Sequence, residues 1–452
     1  MTRRLLTGWG RHAGTVAEVA RPRSQAEVVA LLRDLPERGG LARGYGRGYG
    51  DCAQDAGGLV LDMTGLAPEL SIDVESATVT ASAGISIDTL IETLVPLGFF
   101  VPVTPGTRTV SVGGALAADV HGKNHHVDGS FGAAVTSLNL ALPGGEVRRL
   151  APDGDDPDAF WATIGGMGLT GVITAATFSV VPIESSRCVV DTERAADLDE
   201  ALELMTSGDD NYRYTVTWID LMARGSSMGR SVLTRGDFAT LDQLDGKPAR
   251  EPLAYKSKVL AAAPQWSPPM VNRLTITAFN EMWFRKAPKL RRGEIQGLQK
   301  FFHPLDMVSG WNRLYGSPGF VQYQFVLPYG EEETLRTVVG KLSESRIVTF
   351  LTVLKRFGPG NPGFLSFPKP GWTLAMDFPL GQDQLATLLP QLDELVVGAG
   401  GRHYFAKDSV TTPDMIRRGY PRLEEWRAVR DRLDPGRRMV SDLARRLQLL
   451  EA

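Results

Sequence analysis

The stretch GFVQYQFVLP, residues 319–328, alternates with a two-residue period. Successive side chains of a strand point to opposite faces, so Val321, Tyr323, Phe325 and Leu327 share one face and Gln322 and Gln324 share the other. An apolar face of that length needs a layer to pack against. GWTLAMDFPL (371–380) repeats the pattern, setting Trp372, Leu374, Met376 and Phe378 against Thr373, Ala375 and Asp377. VTFLTVLKRF (348–357) places Lys355 on the face of Thr349 and Val353, and RYTVTWIDLM (213–222) reads as a fourth strand. Two helical patterns lie among these runs. One passes through Leu335, Val338, Val339 and Leu342. The other passes through Leu385, Leu388, Leu389 and Leu392, where Pro390 predicts a kink or a restart. Strands with helices on one side predict an α+β domain, an antiparallel sheet covered by helices. Its second, polar face is either solvated or the wall of a pocket. Glutamines and a lysine suit a pocket for hydroxyls or phosphate, because they offer several donors.

The first part of the chain has a different rhythm. SQAE (24–27) reads as a capping box, with Ser24 as N-cap and Glu27 reaching back. Strands are expected over 57–64, 77–84 and 178–184, and a helix through Leu90, Ile91 and Leu94 that ends near Gly98. Three glycine-rich stretches punctuate them: ARGYGRGYGDC (42–52), PGTRTVSVGGALAADVHGKNHHVDGSFG (105–132) and IGGMGLTGVIT (164–174). Such stretches let backbone N–H groups converge on an anion such as a pyrophosphate. None contains the GxxxxGK[ST] phosphate loop, and GYGRGYG only superficially resembles the dinucleotide fingerprint. The segment 255–275 shows neither period and reads as a mobile loop or a packed connection.

The totals exclude several classes. A length of 452 residues suits two or three domains. A net charge of −3 argues against a broad nucleic-acid surface. No apolar run is long enough to span a bilayer, and the start MTRRLLTGWGRH is too short in apolar residues for a signal peptide. Two cysteines, Cys52 and Cys188, cannot form a disulfide framework, so a soluble intracellular protein is the expectation.

Together ARGYGRGYGDCAQ, PGTRTVSVGGALAADVHGKNHH, FWATIGGMGLTGVIT and YFAKDS resemble the vanillyl-alcohol-oxidase-type FAD oxidoreductases. More narrowly they resemble the branch that oxidises polyprenylphosphoryl ribose. HPLDMVSGWNRLYGSPGFVQYQF (303–325) and the C-terminal YPRLEEWRAVRDRLDPGRRMVSDLARRLQLL extend the resemblance over nearly the whole chain. It implies a PCMH-type FAD-binding domain at 1–183, an inserted substrate domain at 184–400, and a segment 401–452 that completes the first. The implied reaction is oxidation of a ribose 2′-hydroxyl to the ketone. An NAD(P)H-dependent keto-reductase would act next, and the substrate would be a lipid-linked sugar phosphate that brings the protein to a membrane surface. A relative acting on another sugar or polyol is the alternative on the same fold; a flavin- or lipid-binding protein without turnover is the alternative of another class.

The histidines of DVHGKNHH (119–126) are poorly spaced for one ion, and no metal is expected. Relatives that attach flavin covalently often carry a histidine in the first glycine turn. Arg47 stands there, so the resemblance implies non-covalent FAD. It assigns the cofactor to the backbone of Ala42, Arg43, Gly44, Tyr45, Gly46, Arg47, Gly48, Tyr49, Gly50, Asp51 and Cys52, then to Gly106, Ser111, Val112, Gly113 and Gly114. Ala118, Asp119, Val120, His121, Ile173 and Tyr404 complete it. Lys407, Tyr49 and His121 are the implied catalytic residues. Lys407 would either stabilise charge on the reduced flavin or take the hydroxyl proton. Gln322, Gln324, Lys355, Trp218, Asp377, Thr373 and Ala375 are the implied substrate contacts, with Lys355 at the phosphate. The family often has asparagine and cysteine at Thr373 and Ala375, and tyrosine at Phe302.

Overall fold

The computed structural model describes residues 1–264 and 270–450. A four-stranded sheet opens the chain, in the order Thr2–Leu6, Thr15–Ala20, Leu59–Asp62, Gly40–Arg43. Beside it lies an antiparallel five-stranded sheet, in the order Leu70–Asp73, Thr78–Ser82, Val172–Ser179, Val135–Ala141, Val147–Leu150. The third sheet has eight antiparallel strands: Leu290–Gly297, Arg187–Ala195, Ser231–Phe238, Tyr214–Ile219, Phe350–Phe357, Gly371–Pro379, Phe320–Pro328 and Arg402–His403. The mixed helices and antiparallel sheets are the expected α+β class.

The alternation read from the sequence sets the layers of the large sheet. Val321, Tyr323, Phe325, Leu327, Trp372, Leu374, Met376 and Phe378 are buried in one core with Leu335, Val338, Val339 and Leu342 of helix Glu332–Ser345 and Leu388, Leu389 and Leu392 of helix Leu385–Gly398. Helices cover that face, and the polar residues occupy the other. Pro390 does not restart the second helix, which runs through it from Leu385 to Gly398; packing of its leucines outweighs the one amide donor that proline lacks. A second core joins residues 79–183 to Tyr404, Phe405, Tyr420, Trp426, Leu433 and Leu443. Trp426 Nε1 donates to the Ala162 carbonyl at 3.0 Å across it.

Local signals held with small shifts. Ser24 caps helix Gln25–Arg33, accepting from the Glu27 amide at 3.2 Å, but Glu27 reaches one residue further, to the Arg23 amide. Gly98 (φ +82°) ends the helical stretch after a 3-10 turn. The expected strand 178–184 is instead the end of Val172–Ser179 and a short pair at Val181–Pro182. Within 255–275, Ala261–Ala262 pairs in parallel with Val308–Ser309, and a helix starts at Arg273 and runs to Lys286. The remainder of that segment includes 265–269, outside the described residues.

Candidate active site

The polar face of the large sheet is assembled by register. Gln324 lies opposite Ala375, Ala375 opposite Val353, and Val353 opposite Trp218. Gln322 lies opposite Asp377, and Thr373 opposite Lys355. Facing residues of antiparallel strands share a side, so Gln322, Gln324, Thr373, Ala375, Asp377, Lys355 and Trp218 form one surface. Thr349 does not join it. A bulge at Leu351 (φ +54°) shifts the register between Phe350 and Val353, so Phe350 pairs with Asp377, where an unbroken register would put Leu351, and Thr349 falls on the other parity.

The glycine-rich stretches pack against this surface from the first half of the chain. A side chain at Gly44 would put its Cβ 2.1 Å from Ser111 Oγ, and one at Gly50 would put it 2.2 Å from the Asp408 carbonyl. Glycine at these two positions therefore lets the first stretch touch both the second stretch and the YFAKDS turn. The Tyr49 amide donates to the Ala406 carbonyl at 2.9 Å, and the Lys407 ammonium lies over the Tyr49 ring, 3.7 Å from its centre. Tyr404 donates through its hydroxyl to the Ala118 carbonyl at 2.9 Å, and its amide donates to the Gln324 carbonyl at 3.1 Å.

His121 stands where these parts meet. Its Nε2 is 3.0 Å from Gln324 Nε2, and its Nδ1 is 3.0 Å from Lys355 Nζ. Its ring packs on Phe357, Phe367 and Tyr404, with centres 4.7, 5.9 and 5.5 Å away. Burial, with Lys355, His125 and Lys407 nearby, holds its pKa well below the usual 6.5. His125 packs on the other contact of Phe357, at 4.3 Å, and His126 Nε2 meets the Tyr212 carbonyl at 2.8 Å. These two histidines brace the loop.

Charge in the pocket is unbalanced. Burial lowers Lys123 to about 8 and Lys355 to about 7, and it lowers Lys407 against the pull of Asp377. Asp377 is fully buried and raised by burial; it accepts from Gln322 Nε2 and, at 2.9 Å, from the Tyr315 hydroxyl. Burial and the Asp377 charge hold the Tyr49 phenol well above 10, so it remains a donor. Of these lysines only Lys407 has Asp377 beside it; Lys355 meets His121 Nδ1 and Lys123 meets the Phe301 carbonyl, so donors outnumber acceptors, as suits a group rich in carbonyl and ring-nitrogen acceptors. Arg47 adds a buried, unpartnered Nε, with its guanidinium 3.9 Å from the centre of the Trp9 ring. FAD, with its pyrophosphate and isoalloxazine acceptors, fits these donors.

The side chains of other expected cofactor residues are engaged within the protein. Arg43 binds the Thr7 and Ala53 carbonyls, and Asp51 is paired with Arg446 at 2.8 Å. Val112, Val120 and Ile173 are in the buried core. Asp119 (φ +41°) spends its carboxylate on Ser130, the Gly132 amide, Asn361 and Ser366. The sequence reading missed Tyr315, Phe357, Phe367, Asn361 and Ser366. Their partners lie tens to hundreds of residues away, and only the register of Phe350–Phe357 could have brought Phe357 to notice.

Residues 16–151 match the model of the FAD-binding domain, and residues 382–447 match that of D-arabinono-1,4-lactone oxidase. The chain is 44% identical to the decaprenylphosphoryl-β-D-ribose oxidase of Mycolicibacterium smegmatis, over 99% of this chain and 98% of that one. It is 38% identical to an uncharacterised protein of Streptomyces coelicolor, over 81% of this chain and all of the other. With an L-gulono-1,4-lactone dehydrogenase of Mycobacterium tuberculosis it shares 22% identity over 97% of both chains. The chain is an FAD-dependent oxidoreductase acting on CH–OH groups. It belongs to the decaprenylphosphoryl-β-D-ribose oxidase family.

Proposed function

We propose that the protein oxidises the 2′-hydroxyl of a polyprenylphosphoryl-β-D-ribose to the 2′-ketone, with FAD held non-covalently. The carrying observation is the meeting of the polar sheet face with His121, Tyr49 and Lys407, in a chain 44% identical along its length to an enzyme that bears that substrate in its name. FAD, when bound, supplies the acceptor for the hydride. Tyr49 and His121 hydrogen-bond the reacting hydroxyl. Gln322 and Gln324 orient the sugar, with Trp218, Thr373, Ala375 and Asp377 lining the same wall. Lys407 stabilises the charge that collects at the cofactor, in a water-poor site where one fixed cation acts strongly.

We assign the FAD-binding domain to 1–183 and 401–452 and the substrate domain to 184–400. All strands of the eight-stranded sheet except Arg402–His403 lie within 184–400, which supports this division. The ketone product calls for an NAD(P)H-dependent reductase as the next enzyme in the sequence. Peripheral membrane contact fits helix Arg273–Lys286. Leu274, Met282 and Trp283 are exposed on it, and Val259, Leu260 and Met270 are exposed in the chain before it. Lys256, Lys258, Arg273, Arg285, Lys286 and Lys289 are exposed in the same stretch of chain, as anionic lipid would favour. On its inner side Ile276 shares a core with Tyr49. No helix among the described residues is long and apolar enough to cross a membrane.

Anaerobic mixing tests the reading. A short-chain polyprenylphosphoryl ribose should bleach the visible flavin spectrum, while alditols and aldonolactones should not. Bleaching by an alditol or aldonolactone alone would move the substrate to the other sugar oxidases of the fold. After denaturation the yellow colour should stay in the supernatant.

A further inference from the structure

The hydrogens around the His121 ring can be counted. Thr373 Oγ1 gives its one hydrogen to the Phe325 carbonyl at 2.8 Å, so it meets Gln324 as an acceptor, and the Gln324 atom 3.1 Å away is the amide nitrogen. That same NH2 group lies 3.0 Å from His121 Nε2, which therefore presents a lone pair. A neutral imidazole has one hydrogen. It must sit on Nδ1, 3.0 Å from Lys355 Nζ. An ammonium has no lone pair to receive it; a free amine does, and its own hydrogens can turn to the Gly122 carbonyl at 3.5 Å. The surrounding charges agree. His121 is acted on by Lys355, Lys407 and His125, and Lys355 by Lys407 and Lys123. Gln324, Phe357, Phe367 and Tyr404 are the other groups packed on the ring, and none brings a carboxylate. Asp377 is bound to Gln322 and Tyr315.

We propose that Lys355, as the uncharged amine, is the terminal proton acceptor of the oxidation and is reached through His121. The substrate hydroxyl takes the place of the Gln324 amide hydrogen at Nε2. As the C2′–H bond breaks and its hydride leaves for the flavin, the O–H proton passes to Nε2 and the C–O bond becomes the ketone. The Nδ1 hydrogen passes to Lys355, which becomes an ammonium. Two electrons leave with the hydride, and one proton is left on Lys355 for solvent to remove. The step rests on the proposed reaction, but the tautomer on which it depends does not.

Nitrogen NMR of the holoenzyme labelled in histidine reads that tautomer without substrate. His121, assigned by its loss in His121→Gln, should be neutral with hydrogen on Nδ1. Hydrogen on Nε2, with Nδ1 bare, would mean that Lys355 donates, and would overturn the proposal whatever the substrate. Stopped-flow flavin reduction with a short-chain polyprenylphosphoryl ribose tests the rest. The wild-type rate should rise with pH through about 7, because Lys355 must be deprotonated to accept. Lys355→Met and Lys355→Arg should each bind FAD and lose roughly 10²–10⁴-fold in the reduction rate, with the pH step gone and the substrate Kd little changed. A lysine that held the phosphate would give the opposite pattern: a raised Kd, a kept rate, and rescue by arginine.

Discussion

Lys407 shows two opposed effects on one side chain. Burial lowers its pKa and Asp377 raises it, while the Tyr49 face under the ammonium favours the charged form. Lys355 has no carboxylate beside it and only the more distant Phe357 ring, 5.8 Å from its ammonium nitrogen to the ring centre, and the lysines nearest it push in the direction of burial. Two lysines of one pocket are thus set for different work, Lys407 to carry charge and Lys355 to give it up. Lys407→Ala should still bind FAD but reduce it with substrate about 10²–10³-fold more slowly, since removing one donor to a developing charge costs about 3–4 kcal/mol. Anaerobic stopped-flow measurement of a folded, yellow variant checks this; a near-normal rate would remove Lys407 from the chemistry.

Between elements, single carboxylates fasten distant segments. Asp119, held in the left-handed region, ties its own glycine-rich stretch to Asn361 and Ser366 after strand Phe350–Phe357. The same turn aims His121 at Gln324 and Lys355. Burial raises the Asp119 pKa while four donors oppose it, so the group is held by its hydrogen bonds. Asp119→Ala leaves the Ser130 and Ser366 hydroxyls and the Gly132 amide without this acceptor, while Asn361 keeps Ser130 Oγ, and each buried group so orphaned costs about 1–3 kcal/mol. With partial relaxation, the expected loss is about 3 kcal/mol in urea unfolding of the holoprotein, together with weaker FAD binding. An unchanged unfolding midpoint would show that the clamp contributes nothing. The bulge at Leu351 acts on the same scale: one inserted residue decides that Phe350, and not Thr349, faces the pocket.

Across the whole molecule, the two ends of the chain share a core. Trp426 and Arg430 donate to the Ala162 and Leu169 carbonyls, and Arg446 is paired with Asp51 and Asp408. Tyr420 and Trp426 are fully buried against residues of the first half. A chain ending at Gly400 should therefore fail to form the FAD-binding half, even though every glycine-rich stretch is still present. Soluble expression and the flavin absorbance of the product measure this; a soluble yellow fragment would separate the C-terminal segment from the fold.

The sequence by itself determined the strand faces and the covering helices, because a two-residue or 3.6-residue period reports directly which side chains must be buried. It also determined the glycine positions, where only a missing Cβ allows Gly44 and Gly50 to approach their neighbours. Through resemblance it indicated FAD and named Lys407, Tyr49, His121 and the polar strand residues. The tertiary structure alone decided the pairings among them. Gln324 and His121 are 203 residues apart, and Lys355 and His121 are 234 apart. No local pattern encodes a hydrogen-bond partner at that range, nor the register shift at Leu351, nor the shared core of the two termini. Those depend on how packed elements bring side chains together, and the ionisation of Lys355, Lys407 and Asp377 depends in turn on what that packing shields from water.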